Sequence, residues 1–106
     1  CIWALPLGGS KVLRITFPDV PLGRLLRIRA GLNFAGHRSK RGTEVRLKVR
    51  VGDRLAVDHV YPADESTWFP HDVDTTTRAG RKADVVFEVT SPKVHDRFFC
   101  VNGWVR

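Results

Sequence analysis

The chain has 106 residues, 42% of them hydrophobic and 27% charged. That balance excludes a disordered chain, and no apolar run approaches the ~18 residues of a membrane-spanning helix, so a soluble globular domain with one core is expected. The formal net charge of +7 favours an anionic partner met through long-range electrostatics: nucleic acid, an acidic polysaccharide or a phospholipid surface.

No segment keeps apolar residues at a 3.6-residue period, whereas period-2 alternation recurs every ~8–12 residues, the mark of an all-β chain. The first strand spans 1–7. Lys11 to Phe17 sets Leu13, Ile15 and Phe17 on one face against Arg14 and Thr16. Pro18 and Pro21 then break the ladder, because proline donates no backbone hydrogen bond. Arg24 to Leu32 resumes with Leu26, Ile28, Ala30 and Leu32 inward and Arg27 and Arg29 outward. The loop at 34–43 (FAGHRSKRGT) is followed by the cleanest strand, Glu44 to Val51, with Val45, Leu47, Val49 and Val51 inward. Gly52-Asp53 fits a two-residue hairpin of type II′, with glycine first. Strands then follow at 54–61, 68–74, 82–90 and 97–106, with Val85, Phe87 and Val89 sharing the inner face of the seventh.

About eight short antiparallel strands without helices suit a two-sheet β-sandwich of jelly-roll type with adjacent termini, with an open oligonucleotide-binding barrel as the rival. A chain that begins with Cys1 and holds no Met reads as a domain excised from a larger protein or as a processed product; a mature lipoprotein also begins with Cys. Cys1 and Cys100 stand near opposite ends, as a disulfide tying the first strand to the last would require. Such a bond implies an oxidising, extracytoplasmic compartment, while two unrelated buried thiols remain the alternative.

In an antiparallel sandwich the loops alternate between two ends. Loops 18–23, 52–53 and 75–81 share one end, and loops 34–43, 61–67 and 91–96 share the other. The second end gathers His37, Arg38, Arg41, Tyr61, His95 and Asp96, with Trp68 and Arg97 at its edges. Arg and Asp can bond sugar hydroxyls or acidic groups, and an aromatic face can stack on a sugar ring, so these eight residues are the candidate ligand-binding set. The outward stripe of Arg46, Lys48 and Arg50, with Arg14, Arg27 and Arg29, could track a polyanion. It lacks the interleaved aromatics of nucleic-acid sheets, which disfavours nucleic acid as the partner.

Catalysis finds little support. The four histidines, His37, His59, His71 and His95, form no HxH or HxxxH pair, and neither a GxSxG nor a Walker-type loop occurs. Asp72 and Asp74 share a strand face and could hold calcium, or could form a solvent edge beside Arg78 and Arg81.

Trp68-Phe69, Asp72-Val73-Asp74, Arg78-Ala79-Gly80, the run Ala83-Asp84-Val85-Val86-Phe87-Glu88-Val89 and Arg97-Phe98-Phe99-Cys100 together resemble the galactose-binding-domain-like superfamily of jelly rolls, with its discoidin-type and carbohydrate-binding-module members. The resemblance implies a non-catalytic module that binds glycans, or lipid head groups and proteins in other branches, through apical loops, often beside neighbouring domains of a larger chain. It also implies a disulfide between terminal strands in many members and a structural calcium in many. No ligand motif of the family matches residue by residue. The expectation is therefore an extracytoplasmic carbohydrate-binding module, not an enzyme, with a structural or protein-interaction accessory domain as the alternative and the metal unassigned.

Overall fold

Alternating side chains turn directly into strands. The computed structural model describes residues 2–4, 11–32, 44–62, 69–91 and 99–106. Among them run eight strands: β1 Ile2–Trp3, β2 Leu13–Pro21, β3 Leu25–Leu32, β4 Val45–Val51, β5 Arg54–Tyr61, β6 Phe69–Asp74, β7 Lys82–Thr90 and β8 Phe99–Val105, with one 3-10 turn at Thr76–Arg78.

Four pairings, β1 with β8, β2 with β7, β3 with β6 and β4 with β5, make the chain one long antiparallel hairpin. Its tip is the turn at Gly52-Asp53, where Gly52 takes φ 62° and Asp53 stays at negative φ, as a type II′ turn requires. Two further pairings, β3 with β8 and β4 with β7, wrap the hairpin on itself. The result is two four-stranded sheets in the orders β1-β8-β3-β6 and β2-β7-β4-β5, which is the jelly roll.

The inner faces build one core. Val45, Leu47, Val49 and Val51 are at most 2% exposed and pack with Val85, Phe87 and Val89 from β7 and with Leu26, Ile28, Ala30, Phe99 and Val101 of the opposite sheet. Each such side chain contributes ~1.5–3 kcal/mol by leaving water.

Two boundaries differ from the sequence reading: the first strand, expected over 1–7, ends at Trp3, with 5–7 outside the described residues, and the second strand runs further than expected. The proline-rich stretch after Phe17 does not end the strand: β2 continues to Pro21 through a bulge between Phe17 and Val20. Asp19 sits there at φ 52°, and its amide donates to Asp84 Oδ1 at 3.1 Å. The prolines are tolerated because β2 is an edge strand with no neighbour to receive the missing N–H; Pro70 in β6, also an edge, follows the same rule.

The two ends of the sandwich are unlike. At one end the connections are tight: Leu22 N–H donates to the Arg81 carbonyl at 2.8 Å, and Gly80 N–H to the Leu22 carbonyl at 2.9 Å. Gly23 lies so close to the Arg106 carbonyl that a Cβ would collide with it. At the other end stand Ala4, Glu44, Tyr61, Phe69, Ser91 and Phe99, the residues from which the longer connections leave. The Ala4 amide donates to the Phe99 carbonyl at 2.8 Å, and Ser91 Oγ to the Glu44 carbonyl at 2.8 Å.

Candidate functional site

Period-2 geometry places His59 and Tyr61 on the inner side of β5, and Phe69 and His71 on the inner side of β6. Each strand is the free edge of its sheet, so the four rings meet where the two sheets face each other along one side, next to the long-loop end. His59 stacks on Phe69 with centroids 4.4 Å apart and planes 20° apart, and lies 5.0 Å from His71. The Tyr61 hydroxyl is 3.0 Å from His71 Nε2 and 3.4 Å from the Phe69 carbonyl. The hydroxyl donates to the Phe69 carbonyl, and the direction of its contact with His71 Nε2 follows the imidazole tautomer.

Burial dictates the electrostatics of this cluster. Desolvation, helped by the neighbouring His59, lowers the His71 pKa below that of a free imidazole, and desolvation raises the Tyr61 phenol. Phe69 stays 45% exposed, so the cluster presents an apolar aromatic ledge to solvent with imidazole and phenol behind it.

Of the sequence-derived ligand set, His37, Arg38, Arg41, Trp68, His95, Asp96 and Arg97 lie outside the described residues, as does Cys1. Tyr61 is described. It is only 4% exposed and packs edge-on against Phe99 at 5.1 Å, so its ring is part of the core and not an open stacking face. Among the described residues of this cluster, Phe69, one residue beyond Trp68 in sequence, is the exposed aromatic. The histidines, scattered in sequence, are not all scattered in space, because His59 and His71 come together. The signal for both was present in the patterns His59-x-Tyr61 and Phe69-x-His71, two aromatic pairs at strand period, but not the fact that β5 and β6 face each other.

Asp72 and Asp74 are otherwise engaged. Asp72 receives two bonds from Arg27, Nε at 2.8 Å and Nη2 at 3.0 Å. Asp74 accepts from the Thr76 amide at 2.9 Å and hydroxyl at 2.6 Å. These hydrogen bonds hold both carboxyls below their usual range. Arg78, expected beside them, instead donates to the Val51 carbonyl at 2.9 Å. Among the described residues no three His, Cys, Asp or Glu side chains gather as a metal-ligand set.

The basic stripe is largely neutralised. Glu88 receives Arg14 at 3.1 Å and Arg50 at 2.7 Å, and Asp58 receives Arg46 through two bonds at 2.8 and 2.7 Å. On the outer face of the other sheet, the Arg29 guanidinium lies over the Trp104 ring at 5.5 Å. Cys100 is 1% exposed and does not stand as a free thiol.

No protein-family model, curated protein or solved structure matches this chain.

Proposed function

We propose that the domain is a non-catalytic carbohydrate-binding module whose site lies at the long-loop end of the sandwich. The observation that carries this reading is the exposed Phe69 ring stacked on His59 at that end. An aromatic face held rigid by a second ring suits the apolar face of a sugar. The candidate residues of the three adjoining loops, His37, Arg38, Arg41, Trp68, His95, Asp96 and Arg97, supply further stacking and bonds to hydroxyl or acidic groups. Carbohydrate is preferred to nucleic acid because the outward arginines Arg14, Arg27, Arg46 and Arg50 already bind carboxylates. The reading includes a disulfide between Cys100 and Cys1, supported by the pairing of β1 with β8 that brings the terminal strands together, and with it an extracytoplasmic setting.

A glycan array probed at low and high salt, with the Phe69→Ala protein alongside, tests the proposal. Binding to a defined glycan that weakens at least about tenfold in Phe69→Ala, the loss of one aromatic contact worth ~1.4 kcal/mol, supports it. Absence of binding to neutral and acidic glycans at low salt overturns it.

A further inference from the structure

His59 on β5 and His71 on β6 face each other from the edges of different sheets, with ring centroids 5.0 Å apart and planes 64° apart. Two imidazoles that share one divalent metal ion hold it at ~2.0–2.1 Å from each nitrogen, and each ring centre lies ~1.1 Å behind its nitrogen. Their centroids are then ~4.5 Å apart when the two bonds meet at a right angle and ~5.2 Å apart at the tetrahedral angle. The observed separation lies between those values. The backbone therefore already sets the spacing of a two-imidazole site, and only ring rotation remains. That torsion is broad for histidine. Among the described residues His59 makes ring contacts but has no hydrogen bond to give up. A half turn keeps its stack on Phe69 and exchanges the ring edges that carry nitrogen.

The surroundings select which nitrogen of His71 is free. The Tyr61 hydroxyl has one proton, and it goes to the Phe69 carbonyl at 3.4 Å. The 3.0 Å contact with His71 is then a hydrogen bond when Nε2 carries the imidazole proton and the phenol oxygen accepts. In that tautomer Nδ1 has the lone pair. A relay from His71 Nε2–H through Tyr61 to the Phe69 carbonyl is the outer-shell support that fixes the tautomer and orientation of a metal-bound imidazole. The chain is basic, yet among the described residues His59 is the one charged group that acts on His71, so no arginine or lysine opposes a cation there. Asp58 and Asp72, the sequence neighbours of the two histidines, are held by Arg46 and Arg27 and do not join the shell.

We propose that His59 and His71 bind one divalent transition-metal ion through His71 Nδ1 and one nitrogen of His59, with water in the remaining positions. Imidazole donors without carboxylate or carbonyl oxygens select zinc, nickel and copper(II) over calcium and magnesium, with copper(II) the tightest of the three. The ion joins β5 to β6 on the side where, among the described residues, the two sheets share no strand pairing. Tyr61 is a positioning residue that acts through His71. This inference concerns the imidazoles behind the ledge and stands whether or not the Phe69 face binds sugar.

Zinc is the probe, added to the protein in a buffer without metal-binding groups and followed through the imidazole nitrogen NMR signals. Saturable shifts of His59 and His71 together, with His71 Nδ1 coordinated and its Nε2 proton retained, support the proposal. So does a Tm that rises with zinc and returns with EDTA. His59→Gln and His71→Gln should each weaken zinc binding at least about tenfold. Tyr61→Phe should weaken it about tenfold and mix Nδ1 with Nε2 coordination. The titration is read in the unaltered protein, so it decides the question even where a variant fails to fold. Repeating the glycan array in EDTA reads sugar binding separately from zinc binding. Three results overturn the proposal: no saturable shift at His59 and His71 up to millimolar zinc, shifts confined to His37 and His95, or coordination of His71 through Nε2.

Discussion

The Tyr61 hydroxyl lies 3.0 Å from His71 Nε2, and this contact ties the last residue of β5 to the middle of β6 across the side where the two sheets share no backbone bonds. Among the described residues the sandwich is closed there by side chains, and burial lowers the pKa of one of them, His71.

Acid should therefore loosen this edge first. Because His71 has a folded pKa below its ordinary 6.5, the unfolded chain takes up the proton first as pH falls. The contribution is intact above pH 6.5 and declines as pH drops from there toward the depressed folded value. Thermal melts at pH 7.5, 6.5 and 5.5 should show a falling Tm, with a shallower fall in His71→Gln. Equal slopes in the two proteins would remove His71 as the cause.

Glu88 holds Arg14 and Arg50 together across β2, β7 and β4, and its side chain is only 12% exposed. Glu88→Gln should cost ~1 kcal/mol, near the upper end for exposed ion pairs because one carboxylate serves two guanidiniums. The arginine bonds hold the Glu88 carboxyl below its usual range, so its contribution is present above pH ~4.5 and is lost as pH falls through the depressed value. Urea unfolding at pH 7 and pH 3 checks both statements: the difference between wild type and variant should shrink at pH 3.

Leu47 is fully buried at the centre of β4, with Val89 on one flank and His59 on the other. Leu47→Ala should destabilise by ~3 kcal/mol through lost burial and the cavity left behind. Thr16→Ala, on the outer face of edge strand β2, should stay within ~0.5 kcal/mol. Urea midpoints at constant m-value compare the two, and a similar cost at both sites would contradict the assignment of inner and outer faces.

The proposed Cys1–Cys100 bond closes nearly the whole chain, for which the chain-entropy model sets an upper figure of ~4.7 kcal/mol. Reduction by dithiothreitol should lower the Tm, and mass spectrometry after alkylation should show both thiols freed in the same step. An unchanged Tm would count against the bond.

What could be read locally was read well. The inward sets Val45-Leu47-Val49-Val51 and Val85-Phe87-Val89 are buried as alternation requires, and the glycine-first turn at Gly52 has the expected positive φ. The bulge after Phe17 was missed because proline marks a broken ladder equally well at a strand end and on an edge strand, and only knowledge of β7 as the single neighbour separates the two. For the candidate site, Trp68 lies outside the described residues, while Tyr61, an aromatic at a strand end, gave no sign that Phe99 would bury it.

The amino-acid sequence by itself determined the strands, their inner faces and the all-β class, because period 2 and turn chemistry act between near neighbours in the chain. The tertiary structure alone decided which strands pair, and so which charges meet. Arg14 and Arg50 find Glu88, Arg46 finds Asp58, His59 finds His71, and β1 finds β8 at the far end of the chain. These relationships join residues 12 to about 100 positions apart, and a distance of that kind is set by how the long hairpin wraps on itself.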